Sequence, residues 1–207
     1  MPPDRVYGGR TAADRRAERR QRLLDAGLEL FGTEGYTATS IERLCAGAGV
    51  STRNFYEEFT GREALLTTLH DLVMERALKA VAAAFAAAQD EPLARRIELA
   101  VRAYIATTAE DTRWARVSYV EIIGVSEAVE RHRLAWRERW AAFLAAEAQR
   151  AVERGEAMSR DFHLSAVALV GALNELVYHW AVGGHVIPLD DIISEIVRIA
   201  TAALTGP

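Results

Sequence analysis

The stretch GAGVSTRNFYEEFTGREALL, residues 47–66, limits what this chain can fold into more than any other segment. Its glycines and small hydroxyl residues are helix stops and helix caps rather than the interior of one long helix. Just upstream, Thr39 and Glu42 have capping-box spacing and open a helix through Leu44 to about Ala48, ended by Gly49. Ser51 then caps a helix of scarcely two turns ending near Phe59. Thr60 and Glu63 form a second capping box, opening a long helix to about Ala88. Three helix starts therefore fall within about twenty residues. So short a helix has little stability alone, which makes the geometry between the pieces the thing being specified.

Around this segment the apolar period is helical throughout. Leu23, Ala26, Gly27, Leu30 and Phe31 mark a first helix, stopped by GTEGY at Gly32–Gly35. Beyond Pro92 longer helices are expected at about 92–110, 112–124, 126–154, 161–183 and 188–205, and strand alternation is absent. The expected class is all-α: an N-terminal arm and three-helix helix-turn-helix domain over residues 1–60, then a larger helical bundle over residues 61–207. No apolar stretch approaches ~20 residues, so no membrane span is expected. The first twenty residues carry charges without an apolar core, which excludes a secretory signal. Cys45 is the only cysteine. A single buried thiol fits a reducing, cytoplasmic setting.

Net charge is −4, which taken whole argues against nucleic acid. Its distribution argues the other way. Seven arginines lie between Arg5 and Arg22 against only Asp14 and Glu18. A basic head on an acidic remainder is the asymmetry of a polyanion-binding domain attached to something else. The plainer alternative is a solvated, charged helix start.

A helix ended by Gly49, a tight turn at Val50 and a second helix capped by Ser51 form a helix-turn-helix pattern. The second helix of that motif lies in the major groove with its N-terminal residues at base edges. The residue types suit the task. Arg53 can donate two hydrogen bonds to guanine, Asn54 can pair with adenine, and Tyr56 offers a hydroxyl to phosphate. Phe55 and Phe59, four apart, are expected to turn inward onto Leu30, Phe31, Ile41 and Leu44.

The run LLDAGLELFGTEGYTATSIERLCAGAGVSTRNFYEEFTGREALL, Leu23 to Leu66, resembles the DNA-binding domain of the TetR family of bacterial repressors. The likeness includes the F-x-x-x-G-Y break, the T-S start, the A-G-V-S turn and the F-Y-x-x-F helix. The resemblance implies phosphate contacts by Thr39 and Ser40, base reading by Thr52, Arg53 and Asn54, and a phosphate contact by Tyr56. Arg62 stands where the family usually has a phosphate-gripping lysine. It further implies that the C-terminal part is a ligand-binding and dimerisation bundle. The function implied is a DNA-binding transcriptional regulator, a repressor released from a palindromic operator by a small molecule; an activator or a corepressor-dependent regulator is the alternative.

Two departures bear on this reading. Glu57 and Glu58 place carboxylates where the family often has neutral or basic side chains; Glu58 either accepts from a cytosine amine or points away from DNA. The arginine-rich arm before the first helix either reaches a minor groove or is disordered.

In the bundle, the helix at about 161–183 is apolar on nearly all sides, and the one at about 188–205 carries a stripe of Ile192, Ile193, Ile196, Val197, Ala200 and Leu204. Both are expected to pair with a second copy in a homodimer. A cavity for a largely apolar effector is expected from Tyr104, Trp114, Ser118, Glu121, Trp136 and Asn174, although the same residues describe a core. His132, His163 and His179 lack metal-ligand spacing, so neither metal nor cofactor is expected. No nucleophile–base pair or phosphate loop suggests an enzyme. A protein–protein adaptor with a vestigial helix-turn-helix would differ by lacking salt-dependent DNA binding.

Overall fold

The computed structural model describes residues 11–205. Helix α1 spans Ala12–Thr33 and is opened by a reciprocal capping box, with the Thr11 hydroxyl accepting from Asp14 N and the Asp14 carboxylate accepting from Thr11 N. Most of the expected arm is therefore helix; the expectation for the arm before residue 11 lies outside the described residues. Helices α2 (Ile41–Ala48) and α3 (Thr52–Glu58) follow, joined through Gly49. Gly49 sits at φ 61°, ψ 42°, the left-handed conformation that a side-chain-free residue adopts without strain and that reverses the chain tightly.

Helix α4 (Arg62–Ala87) joins this head to the bundle. It enters two apolar clusters in turn. Leu65, Leu66 and Leu69 complete the head's core with Leu23, Phe31, Leu44, Phe55 and Phe59, while Val73, Met74, Ala77 and Val81 begin the core of the bundle. Helix α5 (Leu93–Thr108) packs along α4, and α7 (Glu127–Glu153), α8 (His163–Val182) and α9 (Leu189–Thr205) complete the bundle. No strand occurs among the described residues.

Three sequence expectations are corrected here. The second helix is capped by Ser40, whose hydroxyl accepts from Arg43 N, not by Thr39. Helix α4 has Gly61 at its N-cap and no side-chain cap, so Thr60 and Glu63 form no capping box. The single helix expected at 112–124 is α6 (Thr112–Arg116) continuing into a π-helical turn, Val117–Glu121.

Helix α6 and that π-helical turn matter because of where they dock. Arg113 pairs with Glu29 at 2.7 Å, Arg116 donates to the Thr33 carbonyl at 2.8 Å, and Glu121 accepts from Tyr36 N at 2.7 Å. Gly32 permits the approach: a Cβ there would lie 2.5 Å from the Arg113 Cβ. The end of α1 is thus held against the bundle.

Helix α9 turns Ile192, Ile193, Ile196 and Ala200 into its own chain's core, so that stripe is not left for a partner. Helix α8 differs. Ala166, Val170, Val177 and Trp180 are buried, while Leu164, Val167 and Val182 stay exposed on the other side. It is also the one helix among the described residues long and apolar enough, by length and composition, to cross a membrane, with mean hydropathy 1.2. This revises the expectation that no apolar stretch approaches that length.

Candidate DNA-reading surface and effector cavity

Helix α3 is seven residues long and cannot stand alone, so its presentation is set by what grips it. Phe55 is fully buried against the head's core, and Phe59 packs beside it with ring centroids 6.0 Å apart. Ser51 caps the helix by accepting from Asn54 N at 3.2 Å. The remaining positions face out. Thr52 and Arg53 are exposed, Asn54 is half-buried, and Tyr56 is 56% exposed, its ring standing edge-on to Phe55. Arg53 pairs with Glu57, one turn on, at 3.5 Å. The residues expected to read bases and to meet phosphate therefore stand on the open side of α3.

Glu58 turns away from that face. Its side chain is 2% exposed and its carboxylate accepts from Arg16 and Arg19 of α1, each at 3.2 Å. Arg20 donates to the Glu58 carbonyl and lies 4.4 Å from the centre of the Phe59 ring. Three arginines of the basic head are thereby spent on clamping α3 to α1. The alternative in which Glu58 reads a cytosine does not fit this packing.

Two of the expected phosphate contacts are already committed. Thr39 is fully buried and its hydroxyl donates to the Gly35 carbonyl at 2.8 Å, so it is withdrawn from the DNA surface. Arg62 donates to the Tyr36 carbonyl at 3.0 Å and to the Thr39 carbonyl, with its guanidinium 4.7 Å from the centre of the Tyr36 ring. It ties the start of α4 to the α1–α2 loop instead of reaching outward. Ser40 remains half-exposed at the start of α2.

In the bundle, an apolar cavity of about 110 Å³ lies between α4, α5, α7, α8 and α9. Tyr104 and Asn174 line it, as expected. A second, more polar cavity of about 310 Å³ is lined by Ser118, Arg137, Glu175 and again Asn174. The other three expected residues are elsewhere. Glu121 is bonded to Arg116 and to Tyr36 N at the head. Trp114 lies between the two cores under the Arg76 guanidinium, 4.5 Å from its ring centre. Trp136 donates to the Asp71 carboxylate at 2.7 Å. For Glu121 the physical reason is register: the π-helical turn Val117–Glu121 rotates it away from where an unbroken α-helix would place it.

Three cavity residues lie outside the expected six: Trp140, Arg137 and Arg96. Trp140 lines the apolar cavity with its ring edge-on to Tyr104 at 5.0 Å. Its spacing from Trp136 was visible, but the choice between the two was not. Arg137 and the expected Ser118 each keep a buried polar atom with no protein partner beside the larger cavity. Arg96, at the other end of the apolar cavity, is buried and bonded to Glu156. Deep burial pushes the Tyr104 hydroxyl up to about 12, so it stays neutral within its hydrogen-bonded contact to Tyr119.

A grouping unforeseen from spacing also appears. His70 and Asp71 on α4 face His132 on α7, with His70 Nδ1 and His132 Nε2 3.2 Å apart. Burial, reinforced by His132 and Arg133, pushes the His70 imidazole down to about 3.

The family model for bacterial regulatory proteins of the tetR family matches residues 23–69, from α1 through the first two turns of α4. The matched segment is similar to the DNA-binding head of that family. TetR-family regulators also share the whole fold. A putative TetR-family transcriptional regulator from Syntrophomonas wolfei superposes with a TM-score of 0.78 at 20% identity, covering 90% of this chain and 94% of that one. The fatty acid degradation regulator FadR from Bacillus halodurans gives 0.75 at 17% identity, over 88% and 94%. FadR from Bacillus subtilis, in complex with stearoyl-CoA, gives 0.74 at 17% identity, over 89% and 98%. Among curated proteins, no sequence match is found. The chain thus has the fold of a TetR-family DNA-binding transcriptional regulator.

Proposed function

We propose that this protein is a dimeric repressor, held on a palindromic operator by α3 and released by a largely apolar effector. The observation that carries the reading is the open face of α3, where Thr52, Arg53, Asn54 and Tyr56 stand on a helix fixed by buried Phe55. Ser40 at the start of α2 supplies a phosphate contact in this reading. Dimer formation through α8 is supported by the exposed row of Leu164, Val167 and Val182, beside α9. Two copies of α3 then read half-sites about 34–36 Å apart, or a multiple of that distance.

For the effector, the two cavities share Asn174 as a common wall. An apolar tail suits the first, and a polar or anionic end suits Ser118 and Arg137 in the second. The stearoyl-CoA bound by FadR from Bacillus subtilis makes a long-chain acyl thioester the first ligand class to try. The apolar space of about 110 Å³ is too small for such a tail, since drug-sized sites run to about 300–1,000 Å³. Entry must therefore spread the helices, α4 among them, and α4 carries the head.

Operator binding measured by fluorescence anisotropy with added stearoyl-CoA tests this. The wild type is expected to release its operator. Leu169→Trp, which fills the apolar cavity, is expected to lose the response while binding DNA within a few-fold of wild type. An operator complex indifferent to acyl thioesters removes this effector class.

A further inference from the structure

We infer that His70, Asp71 and His132 form a binding site for one divalent transition ion of the zinc class, clamping α4 to α7. This is separate from the effector cavities, neither of which these residues line.

The donor set and its spacing carry the inference. All three ligand atoms lie within 4.8 Å of one another. His70 Nδ1 and His132 Nε2 are 3.2 Å apart, and His132 Nε2 is 3.4 Å from Asp71 Oδ1. Two donors on a tetrahedral zinc ion, each at about 2.0–2.1 Å, stand about 3.3–3.4 Å from one another. The two separations that involve His132 are already close to what an ion would impose, and the remaining pair, His70 with Asp71, lies within 4.8 Å. Two imidazoles and a carboxylate suit zinc and its neighbours in the first transition row, whereas magnesium and calcium prefer all-oxygen sets.

The surroundings fit as well. His70 is 3% exposed and fixed by packing, with Trp136 and His132 rings edge-on to it. Trp136 Nε1 donates to the Asp71 oxygen nearest His132, orienting that carboxylate. Asp71 and His132 are both partly open to solvent, which gives an ion an entrance and leaves a position for water. In the ion-free contact one ring proton lies between the two imidazoles. On binding, that ring takes its other tautomer, so both facing nitrogens present lone pairs.

The placement gives the ion leverage. His70 and Asp71 lie just past Leu69, the last fully buried α4 residue of the head's core, and His132 lies on α7. An ion there bolts the two parts together at their junction.

Titration of untagged full-length protein with cobalt(II) and zinc(II) tests the site. One equivalent of cobalt per chain is expected to give the visible absorption of a four-coordinate ion, displaced by zinc, and zinc is expected to raise the thermal midpoint. Asp71→Asn, which still accepts from Trp136, and His132→Ala are each expected to weaken binding at least ten-fold. His163→Ala, on an exposed histidine outside the cluster, is expected to leave it unchanged. Absence of the cobalt spectrum overturns the inference. So does zinc binding that survives His132→Ala, since the cluster would then be a neutral hydrogen-bonded contact only.

Discussion

Phe55→Ala is expected to cost about 3–5 kcal/mol and to abolish specific DNA binding. Phe55 has no solvent exposure and sits among Leu23, Phe31, Leu44 and Leu65 at the centre of the head. Alanine there leaves a cavity where the lost ring had been, and a seven-residue α3 has no length with which to compensate. The ion pairs of Glu58 with Arg16 and Arg19 still hold its C-terminal end, but its first turn, with Arg53 and Asn54, loses its anchor. Urea unfolding and operator binding of this variant check the claim. Tyr56→Ala, one residue on and exposed, is the control: its stability is expected to stay within about 0.5 kcal/mol. A Phe55→Ala protein with near-normal stability and intact binding would mean that the head is not what positions α3.

The second large effect lies at the far end of the bundle. Arg96 is 2% exposed, donates to the Glu91 carbonyl at 3.0 Å, and meets the Glu156 carboxylate through both terminal nitrogens. Glu156→Ala leaves that guanidinium buried without its counter-charge. The expected cost is about 3 kcal/mol, the low end of the range for broken buried pairs, because Glu156 is itself partly solvated. For a chain of this length the thermal midpoint should drop by roughly 6–12 °C. The pH dependence follows from the same contact. The Arg96 hydrogen bond holds the Glu156 carboxyl below its ordinary value of 4.5. A depressed carboxylate stabilises the folded state above the unfolded value, and that contribution is lost as pH falls through the folded one. Glu156→Gln should therefore flatten the acid limb of the stability curve. A thermal midpoint unmoved by Glu156→Ala would show that water entering the adjacent cavity satisfies Arg96.

How far the sequence could be read varies with the kind of information each feature needs. Helix punctuation is local, so the three starts around Gly49 and the inward turn of Phe55 and Phe59 were readable from residues a few places apart. Capping was readable less well: Thr39 and Ser40 are adjacent and chemically alike, and only packing decides that Thr39 is buried while Ser40 caps. Arg62 and Glu58 were ambiguous because their partners, Tyr36 and the α1 arginines, lie 26 or more residues away. The bundle was harder still. A π-helical turn has no clear sequence mark, and it moves Glu121 from the expected cavity to the head. The cluster of His70 with His132 joins residues 62 apart on facing helices, a relation that no spacing rule detects.

The most direct test of a palindrome-reading regulator is selection of binding sites from random DNA by full-length wild type and Arg53→Ala in parallel. Wild type is expected to enrich a two-fold symmetric motif whose half-sites lie about 34–36 Å apart or a multiple of it. Arg53→Ala is expected to lose about 1–3 kcal/mol per half-site and relax the preference at one base position in each. Enrichment of no motif, or of an identical motif by both proteins, would contradict the assignment of α3 as the reading helix.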